Sequence, residues 1–271
     1  MTPPLVVVHH DAALLAKAVA ARLVTALVDA QAARGEASVV LTGGGIGIAT
    51  LRELAASPAR DAIDWDALDV WWGDERFLPT GHPERNDTQA RQALLDGVDV
   101  MASRIHPMAA SDSDFGDDVD AAAASYAHQL MKAARPEDHG PVPSFDVLLL
   151  GVGPDGHVAS LFPGSPALYD DRAVIPVRGA PKPPPTRLSL SFAAINAARE
   201  VWLVTAGEEK AGAVRMALGG AGQTQIPAAG VAGRSRTLWL LDRAAASRLP
   251  ASLARIACPG SGRKPRGRGE A

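Results

Sequence analysis

FDVLLLGVGPDGH, residues 145–157, joins a run of aliphatic residues to a glycine-rich loop that carries an aspartate and a histidine. The run Phe145–Leu150 predicts a strand that is apolar on both faces, which is typical of a parallel sheet covered on both sides. The loop places Asp155 and His157 just beyond that strand, where open parallel sheets bind ligands. This segment therefore predicts both the class of fold and the position of the site.

Similar apolar runs recur on either side of this segment and alternate with helical patterns. The predicted strands are Leu5–Val8, Ser38–Leu41, Leu68–Trp72, Val201–Val204 and Thr237–Leu241. The predicted helices are Asp11–Ala33, with Asp11 as N-cap, Gly47–Ala56, Gly207–Leu218 and a final one after Asp242. The alternation predicts an α/β fold, a mostly parallel sheet with helices on both faces.

Composition narrows the class of protein. The 271 residues are 47% hydrophobic and carry a formal net charge of −3, which argues against a nucleic-acid-binding body. The single cysteine, Cys258, excludes a disulfide framework and a multi-thiolate metal site. The start lacks a basic segment typical of a secretory signal, and no apolar run of about 20 residues predicts a membrane span. We expect a cytoplasmic enzyme with no nucleic-acid or membrane partner.

No composition shift divides the chain into halves. The acidic loop at 110–118 is the weakest candidate boundary, and strand–helix alternation resumes after it. We therefore expect a single α/β domain over residues 1–257. Residues 258–271 are polar, glycine-rich and locally basic, and are expected to form a disordered tail. The sequence does not indicate an oligomeric state.

The segment TGGGIG, residues 42–47, follows a predicted strand and precedes a predicted helix. Gly43, Gly44 and Gly45 would let backbone N–H groups approach an anion at a helix N-terminus. The spacing fits neither the dinucleotide fingerprint nor a P-loop, so a phosphate on a smaller molecule is the better functional interpretation. The alternative is a tight turn without a ligand.

The charged segment GDER, residues 73–76, follows another predicted strand. Alternate residues of an extended chain point in different directions, so at most two of its three charges face any one cleft. Asp74 and Arg76 are the site candidates, and a solvated loop with an internal ion pair is the alternative. Asn86, a little downstream, looks by itself like a helix cap.

A carboxylate such as Asp155 next to His157 can fix the imidazole tautomer and raise its basicity, as a general base requires. Arg187, after a proline-rich run, and Lys210, after the strand VWLV, could meet on one phosphate. Each of these two cations alone is more often a solvated surface residue. The histidines show no metal-ligand spacing, and Ser160 lacks the surroundings of a nucleophile.

Together these segments resemble the 6-phosphogluconolactonases of the glucosamine-phosphate-isomerase-like superfamily. The matching pieces, in order over roughly residues 5–245, are TGGGIGI, WWGDERFL, RNDTQA, FDVLLLGVGPDGHVASLFPG, PTRLSLS and GEEKAGAV. The resemblance implies a Rossmann-like sheet and hydrolysis of 6-phospho-D-glucono-1,5-lactone in the oxidative pentose phosphate pathway, with no redox cofactor and no metal.

The related glucosamine-6-phosphate deaminases carry a glutamate five residues after the histidine, where this chain has Phe162. A phenylalanine cannot relay a proton, so the lactonase is favoured over a deaminase-like isomerase. A non-catalytic sugar-phosphate-sensing domain is a further alternative, but it has no need for His157, and the first strand begins too early to follow a DNA-binding module. Val158 and Arg85 depart from the common family pattern, which leaves the role of position 85 open.

The resemblance also implies roles for the candidate residues. His157 would deprotonate a water, Asp155 would orient His157, and Arg76 would stabilise negative charge or position the sugar. Asp74 and Asn86 would bind sugar hydroxyls or hold Arg76. The phosphate would lie against the glycine turn, residues 43–45, with Arg187 and Lys210. Activity would fall as the pH drops through the histidine titration, near 6.5 for an unperturbed imidazole.

Overall fold

The computed structural model describes residues 3–138, 140–250, 252–253 and 255–256. The described residues form the helices α1 (Ala12–Arg34), α2 (Gly44–Ala56), α3 (Asn86–Ala93), α4 (Val119–Ala133), α5 (Phe192–Ile195) and α6 (Ala211–Leu218). They form the strands β1 (Leu5–His9), β2 (Ala37–Leu41), β3 (Leu68–Trp72), β4 (Asp74–Arg76), β5 (Val147–Gly151), β6 (Val174–Val177), β7 (Arg187–Leu190), β8 (Glu200–Thr205), β9 (Arg236–Asp242) and β10 (Arg255–Ile256). The predicted tail at 258–271 lies outside the described residues.

The main sheet has seven strands in the order β10-β1-β9-β8-β5-β2-β3, and every neighbouring pair is parallel. Its central strands, β2, β5, β8 and β9, are buried on both faces. In β2, for example, Val39 and Leu41 belong to the core beneath α1 and α2, while Val40 belongs to the core on the α4 and α6 side. The predicted α/β class, with helices on both faces of a mostly parallel sheet, is confirmed.

A second sheet, antiparallel and of order β4-β7-β6, was not predicted. Its strands are three or four residues long, and β4 consists entirely of charged residues. Strand β4 has no apolar residue, and the short run VIPV of β6 contains a proline, which argues against a strand. Helix α4 packs against β6 and β7, so this small sheet closes one side of the core.

The predicted helix boundaries are partly right. Asp11 caps α1 as expected, because its carboxylate accepts a hydrogen bond of 2.8 Å from the Leu14 N–H. Helix α2 begins at Gly44, three residues earlier than predicted. The predicted final helix is wrong: the Asp242 carboxylate accepts from the Ala245 N–H at 2.7 Å, but residues 243–249 form only turns before Pro250.

The connections leave β2 and β5 in opposite directions along the sheet, β2 towards β3 and β5 towards β8. The crevice between the carboxyl ends of two such strands is where ligands bind in open α/β sheets. The glycine turn that follows β2 and the loop that follows β5 therefore flank the expected place for a site. Among the described residues, no helix is both long enough and apolar enough to cross a bilayer.

Candidate active site

A cavity of about 530 Å³ opens at the carboxyl edge of the main sheet, between the ends of β2, β5 and β8. Nine of the ten candidate residues line it: Gly43, Gly44, Gly45, Asp74, Arg76, Asn86, His157, Arg187 and Lys210. The tenth, Asp155, lies beside the cavity and contacts His157. The fold thus brings to one place residues that are up to 167 positions apart in sequence, from Gly43 to Lys210.

The loop after β5 holds His157 against Asp155. His157 Nδ1 lies 2.5 Å from Asp155 Oδ1, so Nδ1 carries the proton that the carboxylate accepts. Nε2 is then the nitrogen with a free lone pair for a ligand. Gly153 is required here, because a Cβ on it would lie 2.1 Å from the His157 ring. The loop is closed by a 2.9 Å hydrogen bond from the Gly153 N–H to the His157 carbonyl.

The environment keeps His157 neutral and Asp155 ionised. Burial favours the uncharged imidazole and lowers the pKa of His157, although the hydrogen bond and charge of Asp155 act in the opposite direction. The charge of Lys182 lowers the pKa of His157 further, while that of Asp74 raises it. For Asp155, burial raises the pKa, but the contact with His157 outweighs it and the pKa lies below its ordinary value. A neutral imidazole and a carboxylate are the states that a general base and its orienting partner need.

Phe162 is buried and packs against residues that line the cavity. Its ring centroid lies 4.7 Å from that of His157, with an interplanar angle of 38°. The Arg187 guanidinium lies over the same phenylalanine ring, 5.7 Å from its centroid. At the position where a deaminase would carry a proton-relaying glutamate, this chain therefore has a packing surface for the catalytic histidine candidate.

Strand β4 sends two of its three charges towards the cavity, in agreement with the alternation rule. Asp74 is held by Ser160 Oγ, which donates to its Oδ2 at 2.8 Å. Asn86 Nδ2 donates to the Asp74 carbonyl at 2.8 Å and to Oδ1 at 3.2 Å. The interpretation of Asn86 as a helix cap is wrong, because Arg85 occupies the N-cap position of α3. The buried Nε of Arg76 has no hydrogen-bond partner among the described residues.

The third charge of β4, Glu75, points into the interior and was not singled out from the sequence. It is fully buried and accepts backbone N–H groups of Arg76 at 2.8 Å, Asn86 at 2.6 Å and Asp87 at 2.9 Å. Arg85 Nη2 lies 3.6 Å from Glu75 Oε2. Burial raises the pKa of Glu75 to about 7, against the opposing effect of Arg85 and the N–H donors. Position 85, which the sequence left open, thus joins β4 to α3.

A second group of residues lining the cavity is suited to an anion. Gly44 and Gly45 begin α2, whose N-cap, Gly43, contributes no side-chain hydrogen bond, so first-turn N–H groups stay available. Lys210 lines this region, with Nζ 3.0 Å from the Ala206 carbonyl. Arg187 is mostly committed elsewhere, since Nε and Nη2 donate to carbonyls of the proline-rich loop before it. That leaves its Nη1 for a ligand.

Val158, a departure from the family pattern, is fully buried in the core, so its side chain does not face the cavity. Among the described residues, no group of three or more His, Cys, Asp or Glu side chains is arranged to hold a metal ion.

The parallel sheet and the polar cavity at its carboxyl edge define an α/β protein with a site for a small polar molecule. The family model described as "Glucosamine-6-phosphate isomerases/6-phosphogluconolactonase" matches residues 10–239, and the chain belongs to this family.

Named relatives lie on the 6-phosphogluconolactonase side of that family. The chain is 66% identical over 251 residues to a 6-phosphogluconolactonase of Streptomyces coelicolor, covering 92% of this chain and 96% of the relative. It is 52% identical over 244 residues to one of Mycobacterium tuberculosis, covering 90% and 97%. Among solved structures, a 6-phosphogluconolactonase from Trypanosoma brucei superposes with a TM-score of 0.77 at 29% identity, covering 91% of this chain and 99% of that one.

Proposed function

We propose that the chain hydrolyses 6-phospho-D-glucono-1,5-lactone to 6-phospho-D-gluconate in the oxidative pentose phosphate pathway, with His157 as the general base. The high identity to curated 6-phosphogluconolactonases supports the reaction. The contact that carries the catalytic assignment is the one between His157 Nδ1 and Asp155, because it leaves a basic Nε2 for a water molecule in the cavity.

In the first step, Nε2 of His157 removes a proton from water as the water oxygen bonds to the lactone carbonyl carbon. The π electrons of the carbonyl move to its oxygen and form an oxyanion. When the oxyanion collapses, the bond from the carbonyl carbon to the ring oxygen breaks, and His157 returns the proton to that oxygen. Asp155 stabilises the imidazolium between the two steps.

The other cavity residues bind and orient the sugar in this proposal. The 6-phosphate lies at the N-terminus of α2, against Gly43, Gly44 and Gly45, with Lys210 and the free Nη1 of Arg187.

Asp74, Asn86 and Arg76 bind the ring hydroxyls and the carbonyl end of the lactone in this proposal. Asp74 and Asn86 already hold each other, so their remaining acceptor capacity faces the cavity in a fixed orientation. Arg76 donates from Nη1 to the Glu84 carbonyl, which leaves its Nη2 as a donor for a substrate oxygen.

Two observations weigh against the other functions considered. Phe162 packs on His157 where a deaminase needs a glutamate, and a sensing domain has no need for an imidazole oriented by a carboxylate. We place the enzyme in the cytoplasm, because a phosphorylated sugar is charged and does not cross a bilayer unaided.

The direct test is proton release from freshly prepared 6-phosphogluconolactone, measured against spontaneous hydrolysis at the same pH. We expect the protein to accelerate acid release and to release no ammonia from glucosamine 6-phosphate. A rate equal to the spontaneous background would contradict the proposed reaction, and ammonia release would favour the deaminase.

A further inference from the structure

A cation that sequence analysis did not select also lines the cavity. Lys182 belongs to the loop between β6 and β7, within the run PKPPPT at residues 181–186. Its side chain is exposed and contributes to the same cavity wall as His157. The loop thus brings a positive charge to the cavity that His157 lines.

The backbone beneath Lys182 is fixed. Arg187, which is only 5% exposed, donates from Nη2 to the Lys182 carbonyl at 3.0 Å and to the Pro183 carbonyl at 3.2 Å. Its Nε donates to the Pro184 carbonyl at 3.1 Å. The three prolines that follow Lys182 restrict their own backbone angles. A buried guanidinium and a stiff loop therefore hold the Lys182 main chain in one place.

Arg187, which fixes the Lys182 main chain, lies over the Phe162 ring on which His157 packs, so the loop that carries Lys182 borders the catalytic pair. The charge of Lys182 opposes protonation of His157 and favours the ionised form of Asp155, in agreement with this position. The lactone carbonyl must lie close to Nε2 of His157 for a water between them to react. A cation that acts on His157 is therefore placed to act on that carbonyl.

We propose that the Lys182 ammonium stabilises the oxyanion that forms at the lactone carbonyl oxygen. The inference rests on the proposed lactone hydrolysis and adds a catalytic residue to it. Negative charge appears on this oxygen when water attacks and leaves it when the ring C–O bond breaks. Lys182 keeps its proton throughout, since His157 carries the transferred one. A preorganised donor at such a position stabilises the transition state more than the uncharged substrate.

The same placement has a consequence for the product. Hydrolysis turns the carbonyl carbon into a carboxylate, so 6-phosphogluconate should keep an ion pair with Lys182. D-Glucitol 6-phosphate carries a hydroxymethyl group in place of that carboxylate and is otherwise the same open-chain phosphate. The two ligands therefore separate a cation at the reacting end of the cavity from one at its phosphate end.

The kinetic test compares Lys182→Met and Lys182→Arg with Lys132→Met, which removes an exposed lysine of α4 far along the chain from the site. Turnover is measured at about pH 7.5, where His157 is neutral with or without Lys182. We expect Lys182→Met to lower kcat roughly 100-fold, as for loss of one oxyanion donor. Lys182→Arg should recover part of the loss, and Lys132→Met should match the wild type. A kcat of Lys182→Met within twofold of the wild type would overturn the proposal.

The binding test titrates both ligands calorimetrically against the wild type and Lys182→Met. We expect the variant to bind 6-phosphogluconate at least tenfold more weakly and D-glucitol 6-phosphate with unchanged affinity. Equal losses for both ligands would place Lys182 at the phosphate and overturn the proposal. Absence of lactone turnover in the wild type would instead refute the proposed function, so the two failures are distinguishable.

Discussion

Strand β4 places three consecutive charged residues in two different environments. Asp74 and Arg76 face the cavity, whereas Glu75 between them lies in the interior beside Arg85. The Glu75 carboxyl group is surrounded by an arginine and three backbone N–H donors. Asp74 and Arg76, by contrast, are hydrogen-bonded to uncharged groups: Ser160 and Asn86 hold Asp74, and the Glu84 carbonyl holds Arg76.

Within this strand of three residues, the charge that faces the interior serves folding, and the two charges that line the cavity serve binding. Charges that satisfy one another inside the protein fix β4 against α3, and removing one partner leaves the other buried and uncompensated. Asp74 and Arg76 are held by uncharged groups, so their charges remain available to a ligand in the cavity. Substitutions on the interior face should therefore affect stability, and those in the cavity should affect catalysis or binding while the protein stays folded.

The largest expected effect is on the cavity side, at His157. His157→Asn keeps a polar side chain of similar reach but removes the base, so kcat should fall about 10² to 10⁴-fold. The free energy of unfolding should change by less than about 1 kcal/mol, as for substitutions outside the core. Steady-state proton release and urea denaturation measure the two quantities. Near-normal turnover would refute the assignment of His157 as general base, and a large loss of stability would break the separation described above.

On the interior face, Glu75→Ala should lower the free energy of unfolding by about 3–5 kcal/mol, because it leaves Arg85 buried without its partner. Glu84→Ala removes an exposed carboxylate nearby and should change stability by no more than about 0.5 kcal/mol. Urea denaturation of both variants gives the comparison. Equal stabilities of the two variants would show that the buried pair does not hold β4.

A smaller effect is expected at the phosphate end. Lys210→Ala should weaken binding of 6-phosphogluconate by about 1.5 to 3 kcal/mol, the range for hydrogen bonds to charged groups. Binding of gluconate, which lacks the phosphate, should change little. Calorimetric titration with both ligands tests this. An equal loss for both would mean that Lys210 supports the shape of the cavity and does not hold the phosphate. Arg187→Ala is expected to act in the same direction, but it also removes the support of the proline-rich loop.

Much of the fold follows from the sequence because the main sheet is buried on both faces. Strands such as β1, β5 and β8 contain runs of at least four apolar residues, which local sequence patterns reveal. The second sheet could not be found in this way, since β4 is charged throughout. Its strand geometry comes from pairing with β7, a contact between distant segments. The alanine-rich sequence after Asp242 favours a helix locally, but it is too short before Pro250 to be stable as one and forms turns instead.

The glycine turn, Asp74, Arg76, His157 and Lys210 could be placed at the cavity because each lies shortly after a strand of the main sheet, and parallel strands share a carboxyl edge. The contacts that each side chain makes could not be predicted in this way. Asn86 looked like a helix cap but instead donates a hydrogen bond to Asp74. Two nitrogens of Arg187 donate to carbonyls of the proline-rich loop before it. Lys182 was not selected, because its proline-rich run predicts only a stiff loop. Nothing in the local sequence shows that this loop lines the same cavity as His157.

The smallest expected effect concerns the pH dependence. A general base must be neutral, so kcat/KM should fall as the pH drops through the pKa of His157 in the free enzyme. Burial lowers that pKa, with a further contribution from Lys182, so the acid limb should be centred below 6.5. Asp155→Asn removes the charge that raises the pKa of His157, and should move the limb to still lower pH while reducing kcat.

The pH–rate profile of kcat/KM, recorded for the wild type and His157→Asn, tests the role of His157 most directly. We predict an acid limb below pH 6.5 in the wild type and no such limb in the residual activity of the variant. A limb centred above 6.5, or the same limb in His157→Asn, would contradict the role of His157 as the general base.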